Sequence, residues 1–310
     1  MQWISRVCHR TGHSPGGLLN EYFLAALLGI VEGLTEFLPV SSTAHLRVVE
    51  SMLGVNLADG YWKMFTIVIQ LGAILCLPIY FRKRISEFVS TFPNGRRGDR
   101  NIITHPLTLS LVAFVCTSVP SFLAVKIIGK NLESLFVMGA SLVVGGVIMW
   151  IVDVAFAIPR ATPLGGPTDD MERMTLWQAI WVGICQVASA LFPGTSRSMA
   201  TIAGGQLSGM SRSAALEFSF FVSIPTMVAA TTYDLYKSLS HKPGEVSALG
   251  ALQMNSHSWI VLGIGFVVSF IVAYGVVAWF MNWVRTRGFV PFAIYRIIAG
   301  IAVLWLALRP

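Results

Sequence analysis

Six stretches of this chain stay apolar for about the length of a membrane span: roughly 62–81, 105–125, 134–154, 215–233, 258–281 and 290–308. A helix needs about 20 residues to cross the hydrocarbon core. No water is at hand there for unpaired backbone N–H and C=O groups, so a lone spanning segment must be helical. Composition agrees, with 55% hydrophobic and 12% charged residues, against about 25% charged in soluble domains. The sequence therefore reads as an all-α integral membrane protein with six transmembrane helices. The formal net charge of +7 does not indicate nucleic acid, because Lys and Arg gather in the cytoplasmic loops of membrane proteins. Cys8, Cys76, Cys116 and Cys185 form no Cys-x-x-Cys pair, so neither a zinc site nor a disulfide framework is indicated. Residues 1–20 lack the apolar core of a signal peptide and read as a polar leader.

Two further apolar regions, about 22–56 and 176–210, are each interrupted by a proline and resume with hydroxyl residues. They match at an offset of 154, which aligns Gly29 with Gly183, Glu32 with Gln186, Pro39 with Pro193 and Ser42 with Ser196. Each reads as a re-entrant helical hairpin, whose irregular backbone is tolerated only under protein or beside a wet cavity. The offset continues past the hairpins, carrying 62, 105 and 134 close to the starts of the last three spans. The repeats are then 21–155 and 176–310, each one hairpin plus three spans, joined by a linker at 156–175. Three spans is an odd number, so the second copy enters from the opposite face and the fold is an inverted-topology repeat. Broken half-helices in matching positions point to a binding site near the bilayer midplane.

Basic residues orient the chain. Arg82, Lys83, Arg84, Arg96, Arg97 and Arg100 place the loop 82–104 in the cytoplasm, with Arg160, Arg173, Arg285 and Arg287 on the same side. Lys126, Lys130, Lys237 and Lys242 then fall outside, as do both termini. The first hairpin opens outward and the second inward.

The hairpins differ in chemistry. Glu32 and Glu36 lie four apart and share a helix face. A carboxylate held in a membrane costs about 2.5–3.5 kcal/mol even on the lenient insertion scale, so it is paired, protonated or useful. Ser41, Ser42 and Thr43 follow Pro39 and suit helix capping. His45 lies three residues past Ser42, which permits a nucleophile–base contact. Arg197, between Ser196 and Ser198 with Thr201 one turn on, suits an anion. A helix start offers free N–H groups, and the guanidinium fork matches phosphate oxygens. Arg197 could equally neutralise Glu32 or Glu36. Gln186 extends the polar lining of the second hairpin. Glu217 is expected to pair with Arg212 or a hairpin residue, and Asp153 and Arg296 are expected to snorkel from span ends.

At these residues the chain resembles the undecaprenyl-diphosphate phosphatases, an integral membrane family also linked to bacitracin resistance. Glu32-Gly-Leu-Thr-Glu36-Phe-Leu-Pro-Val-Ser-Ser-Thr-Ala-His45 is similar to its Glu-x-x-x-Glu and Pro-x-Ser-Ser-Thr-x-His signature, with Ala44 where the family often has Gly. Pro193-Gly-Thr-Ser-Arg-Ser-Met-Ala-Thr201 resembles its Pro-Gly-x-Ser-Arg-Ser-x-x-Thr signature, and the stretch from Glu217 to Thr226 also resembles the family. The likeness runs from about residue 21 to the C-terminus. It implies hydrolysis of undecaprenyl diphosphate to the monophosphate and phosphate at the outer face of the bacterial plasma (inner) membrane. That reaction recycles the lipid carrier of cell-wall synthesis.

On this reading Arg197, Ser196 and Thr201 hold the diphosphate, with Ser41, Thr43 and Ser198 as further phosphate contacts. Ser42 attacks the terminal phosphorus, and His45 accepts or orients its proton. Glu36 with Glu32 binds a divalent cation or activates water. Oxygen ligands favour Mg2+ or Ca2+. Spacing leaves open whether Ser42 or His45 is the nucleophile, and whether water attacks directly. The partners expected are a polyprenyl diphosphate lipid and the bilayer, with a homodimer as one option. The rival is a polyprenyl-phosphate flippase, since inverted repeats with half-helices are chiefly a transporter architecture. The acid phosphatase-like lipid class is excluded. Its Lys-x6-Arg-Pro and Pro-Ser-Gly-His boxes are missing, and the next histidine after Arg197 is His241.

Overall fold

The computed structural model describes residues 18–55, 60–128, 134–239 and 255–308. The leader up to residue 17, Cys8, Lys130 and Lys242 lie outside the described residues. Regular structure among the described residues is helical apart from two isolated bridges. The first half comprises α1 (Leu18–Thr35), α2 (Ser42–Met52), α3 (Gly60–Tyr80), α4 (Arg82–Thr91), α5 (Pro106–Ile128) and α6 (Leu135–Ala155). A short 3-10 turn, Met171–Arg173, leads into α7 (Leu176–Leu191). There follow α8 (Arg197–Leu207), α9 (Arg212–Leu239), α10 (Ser256–Arg287) and α11 (Val290–Ala307). Six helices (α3, α5, α6, α9, α10 and α11) are long and apolar enough to cross a membrane, matching the six expected spans. Their outward faces keep large apolar residues exposed, such as Ile298, Ile301 and Trp305 on α11, as lipid-facing helices do.

The packing of the broken helices follows from glycine. α1 packs along α10, where a Cβ on Gly29 would stand 2.7 Å from the Gly265 carbonyl oxygen. α7 packs along α5, where a Cβ on Gly183 would stand 2.5 Å from the Ala113 carbonyl oxygen. Small residues are what lets two membrane helices approach so closely. Gly29 and Gly183, aligned by the sequence offset, thus do the same job in each half. Adding 154 carries α1 onto α7 and α5 onto α10, so the pairing α1–α10 becomes α7–α5. α6 packs on α11 and α3 on α9, both pairs related by the same offset.

Three charged residues depart from expectation. Asp153 does not snorkel. It is fully buried, bonding Arg212 Nε at 2.7 Å, Gln206 Nε2 at 3.2 Å, and the backbone N–H groups of Phe289 and Val290 at 2.8 and 3.3 Å. The chain folds the start of α11 over the end of α6, so this carboxylate satisfies the free N–H groups of that helix start. Arg212 being taken, Glu217 pairs with Arg84 of α4 at 3.0 Å rather than with Arg212 or a hairpin residue. Arg296 is also fully buried. It sits seven residues into α11, and its partners belong to the site.

Candidate active site

Both broken helices restart in the same strained way. α2 is preceded by Ser41 at φ 72°, and α8 by Ser196 at φ 69°. Positive φ is uncommon outside glycine and costs on the order of 1–3 kcal/mol unless the surroundings impose it. These cap residues also correct the sequence register. One residue separates Pro39 from its cap, whereas Gly194 and Thr195 separate Pro193 from its own. Ser196 is therefore equivalent to Ser41, not Ser42, and Ser42 is equivalent to Arg197. Serine and arginine occupy the first position of the two half-helices. The extra residue is accommodated because Gly194 adopts φ 95° against the backbone of Met138, where a Cβ would clash.

A single guanidinium holds both breaks. Arg296 donates from Nη1 to Pro39 O at 2.9 Å, and from Nη2 to Gly194 O at 3.1 Å and Ser141 O at 3.3 Å. Backbone carbonyls at the two breaks are thereby satisfied inside the protein, as membrane burial demands. Ser198 adds a cross-stitch, donating to Leu38 O at 2.9 Å. Ser196 caps α8 by accepting from the Met199 N–H at 3.4 Å, while Ser41 makes no such side-chain bond.

The two half-helix starts face a cavity of about 320 Å3. Among the residues singled out by sequence, Glu36, Ser41, Ser42, Thr43, Ser196 and Arg197 line it. Ser42 Oγ donates to Glu36 Oε2, in a short hydrogen bond, and Arg197 Nη2 lies 3.1 Å from Glu36 Oε1. Glu36 thus links a hydroxyl from the first break to a cation from the second. Arg197 Nη1 is buried with no partner, leaving a donor for a ligand.

Four expected residues lie elsewhere. Ser198 and Thr201 are 1% exposed, and Thr201 bonds Ser219 at 2.7 Å. Glu32 sits behind Glu36, buried, with both carboxylate oxygens unpartnered. His45 does not touch Ser42. Its Nδ1 is 2.7 Å from Ser41 O, and its Nε2 is 2.6 Å from Tyr295 Oη. A carbonyl only accepts, so Nδ1 carries hydrogen and, in the neutral ring, Nε2 accepts from Tyr295. The two rings stack beside a separate apolar groove of about 210 Å3 between α2, α6 and α11. The helical turn that brings residues three apart together turns His45 to the groove because Tyr295 and the Ser41 carbonyl hold it there.

Sequence reasoning missed three contributors. Gln70 and Thr226 also line the cavity, and Arg296 positions it. The available signals were a glutamine in mid-span and an arginine too far inside its helix to snorkel.

No group of three or more His, Cys, Asp or Glu side chains gathers to hold a metal ion among the described residues. The carboxylates on hand are Glu36, already bonded to Ser42 and Arg197, and Glu32, whose oxygens are unpartnered. One or two carboxylates plus substrate phosphate is the usual donor set for Mg2+; Glu36 at the cavity with Glu32 buried behind it offers a set of that size, not a dedicated cage.

The fold and site define a multi-pass helical membrane protein with a polar cavity between two helix breaks. The comparison with known proteins narrows this. Residues 25–302 match the bacitracin resistance protein BacA family, and the chain belongs to that family. It is 67% identical over 291 residues to an undecaprenyl-diphosphatase of Koribacter versatilis, covering 94% of this chain and 100% of that one. A Bradyrhizobium undecaprenyl-diphosphatase is 41% identical over 286 residues, covering 91% and 96%. One from Caldanaerobacter subterraneus is 37% identical over 282 residues, covering 91% and 94%.

Proposed function

We propose that this protein hydrolyses undecaprenyl diphosphate to undecaprenyl phosphate and inorganic phosphate, recycling the lipid carrier of cell-wall polymers and conferring bacitracin resistance. The observation that carries the mechanism is the Ser42–Glu36–Arg197 constellation at two facing helix starts. Phosphoryl transfer asks mainly for positioning and charge stabilisation. The N-termini of α2 and α8 present N–H groups to the diphosphate, and Arg197 supplies the fork. Ser42 Oγ forms a bond to the terminal phosphorus as the bridging P–O bond breaks and undecaprenyl phosphate departs. Glu36 takes the Ser42 proton. It passes that proton to the departing undecaprenyl phosphate, takes another from the water that cleaves the phosphoserine, and returns this one to Ser42 Oγ as phosphate leaves.

His45 stands outside this chain of transfers, as the strut that fixes Ser41 at the break. A divalent cation, Mg2+ or Ca2+, would be held by Glu36 and Glu32 and would neutralise charge on the phosphates.

The two broken helices are taken as re-entrant hairpins of an inverted-topology repeat spanning 21–155 and 176–310. Supporting this are the 154-residue offset, the matched positive-φ serines and the exchange of partners between α1–α10 and α7–α5. The exposed basic residues Arg82, Lys83, Arg96 and Arg97 favour a cytoplasmic α3–α5 segment. The catalytic cavity then serves the periplasmic or outer face of the plasma membrane. No feature of the site favours the flippase over the hydrolase, and the relatives are named as diphosphatases.

The test is phosphate release from a C55 or C15 prenyl diphosphate by purified protein, with and without chelator. Ser42→Ala, Glu36→Ala and Arg197→Ala should each abolish it. A folded wild type that releases no phosphate with any divalent metal would refute the reading.

A further inference from the structure

We propose that Gln70 is a substrate contact, its side-chain amide donating to the diphosphate oxygens in the cavity. The inference rests on the phosphatase reading and adds a residue from a third element. Gln70 stands midway along the span Tyr61–Tyr80, in the apolar run Ile-Val-Ile-Gln-Leu-Gly-Ala-Ile. An amide has two donor hydrogens and an acceptor oxygen to satisfy, and polar groups at membrane depth ordinarily find partners or serve a function.

Each of the other described glutamines has at least one side-chain partner. Gln178 bonds Thr168, Thr175 and Ser208. Gln186 bonds Thr226, and Gln206 bonds Asp153. Gln70 makes no hydrogen bond with any described residue, and it lines the cavity together with Glu36, Ser42, Arg197 and Thr226.

Its backbone is held firmly at that point. The carbonyl of Ile69 accepts from Ser269 Oγ of α10 at 2.7 Å. A Cβ on Gly72 would stand 2.5 Å from the Phe266 carbonyl oxygen. A site residue is accurate when its element is rigid, and here α10 fixes α3 on both sides of Gln70.

Charge explains the residue type. A diphosphate brings several negative charges, while Arg197 has one unpartnered nitrogen and Glu36 repels the anion. A lysine or arginine at position 70 would be drawn to Glu36 and compete with Arg197. A neutral amide supplies donors to phosphate without that competition. Glutamate, the same size, would supply only acceptors and a further repulsion.

The experiment uses the full-length protein in detergent with farnesyl diphosphate as substrate. It compares wild type with Gln70→Leu, Gln70→Glu and Gln70→Asn. It also measures inhibition by inorganic pyrophosphate and the melting-temperature shift that pyrophosphate induces. A hydrogen bond to a charged group corresponds to about 10- to 100-fold in binding. Gln70→Leu should raise KM and the pyrophosphate inhibition constant by about that factor, with a smaller change in kcat. Gln70→Glu should be weaker again, and Gln70→Asn intermediate. Wild-type KM and inhibition in Gln70→Leu and Gln70→Glu would overturn the contact. If the wild type released no phosphate the phosphatase reading would fall by itself. The pyrophosphate shift would still judge Gln70: undiminished in Gln70→Leu, it overturns the contact, and lost, it supports it.

Discussion

Arg197 Nη2 lies 3.1 Å from Glu36 Oε1, joining residues 161 positions apart that begin and border two different helix breaks. The other oxygen of Glu36 accepts from Ser42. The carboxylate therefore holds the Ser42 hydroxyl and the Arg197 guanidinium at once. Its charge is balanced by Arg197, whose guanidinium the proposed phosphate would share.

From this sharing follows a non-additive pair. Glu36→Gln keeps the shape and removes the base, and should lower kcat by about 10²–10⁴-fold, the range for a general base. Ser42→Ala should lower it at least as far. Because the two act as one unit, the double variant should lose little more than the worse single one. Steady-state kcat for the three proteins checks this; a double-variant loss equal to the product of the single losses would separate the two roles.

Arg197→Lys keeps the charge but not the fork. With Glu36 on Nη2 and Nη1 unpartnered, the guanidinium can keep Glu36 on one arm and offer the other to a phosphate. A lysine offers a point charge that satisfies Glu36 or the phosphate but not both in bidentate geometry. A fall in kcat/KM of about 10²-fold or more is expected, on the scale of two charge-assisted hydrogen bonds. Near-wild-type kcat/KM in this variant would show that charge alone suffices.

The long-range frame of this protein was legible because membranes leave few options. Apolar length set the six spans, and the 154-residue offset brought the two breaks into correspondence before any contact was known. Proline and hydroxyl residues marked where the helices restart. Side-chain direction was not legible. Spacing allowed Ser42–His45, but Tyr295, 250 positions away, decides where the imidazole turns. The register at Ser41 and Ser196 was hidden because a glycine at positive φ absorbs one residue without changing the motif's appearance. Asp153 and Arg296 looked like span-end charges because a sequence does not show which neighbouring loop or carbonyl will cover them.

His45 separates strut from base. Its ring nitrogens are engaged by Ser41 O and Tyr295 Oη, so His45→Ala should lower kcat through a loosened break, by about 10-fold, the scale of one hydrogen bond. Tyr295→Phe should cost less. A pH–rate profile supports the strut if the limb assigned to the carboxylate persists in His45→Ala. A loss as deep as Ser42→Ala, with that limb gone, would return His45 to the role of base or nucleophile.

Helix contacts give a prediction independent of catalysis. Gly29→Ala and Gly183→Ala would each drive a methyl into a carbonyl of the facing helix, at 2.7 and 2.5 Å. Overpacking of this kind costs about 1–3 kcal/mol. Both should lower the melting temperature in detergent, and comparably, since each holds one broken helix to its partner. Gly263→Ala, with nothing within 4 Å of the added Cβ, is the control and should melt like wild type.

Arg296 offers the sharpest separation between the frame and the chemistry. It is fully buried and bonds three backbone carbonyls, two of them at the breaks that start α2 and α8. Arg296→Met keeps much of the apolar volume but strands those carbonyls, each at a cost of about 1–3 kcal/mol when no water replaces the donor. Arg296→Lys reaches fewer of them, because one ammonium cannot span the fan of acceptors that a guanidinium covers. The expected order of melting temperature is wild type, then lysine, then methionine. Phosphate release should fall in the same order but more steeply, since Ser42 and Arg197 begin the half-helices that Arg296 fixes and misplacement of about 1 Å is enough to lose about 10²-fold. Thermal melts and kcat on the same preparations test both orders. Full activity in a destabilised Arg296→Met would mean the breaks keep their geometry without it, and that the strained serines are held by α6 and α11 packing alone.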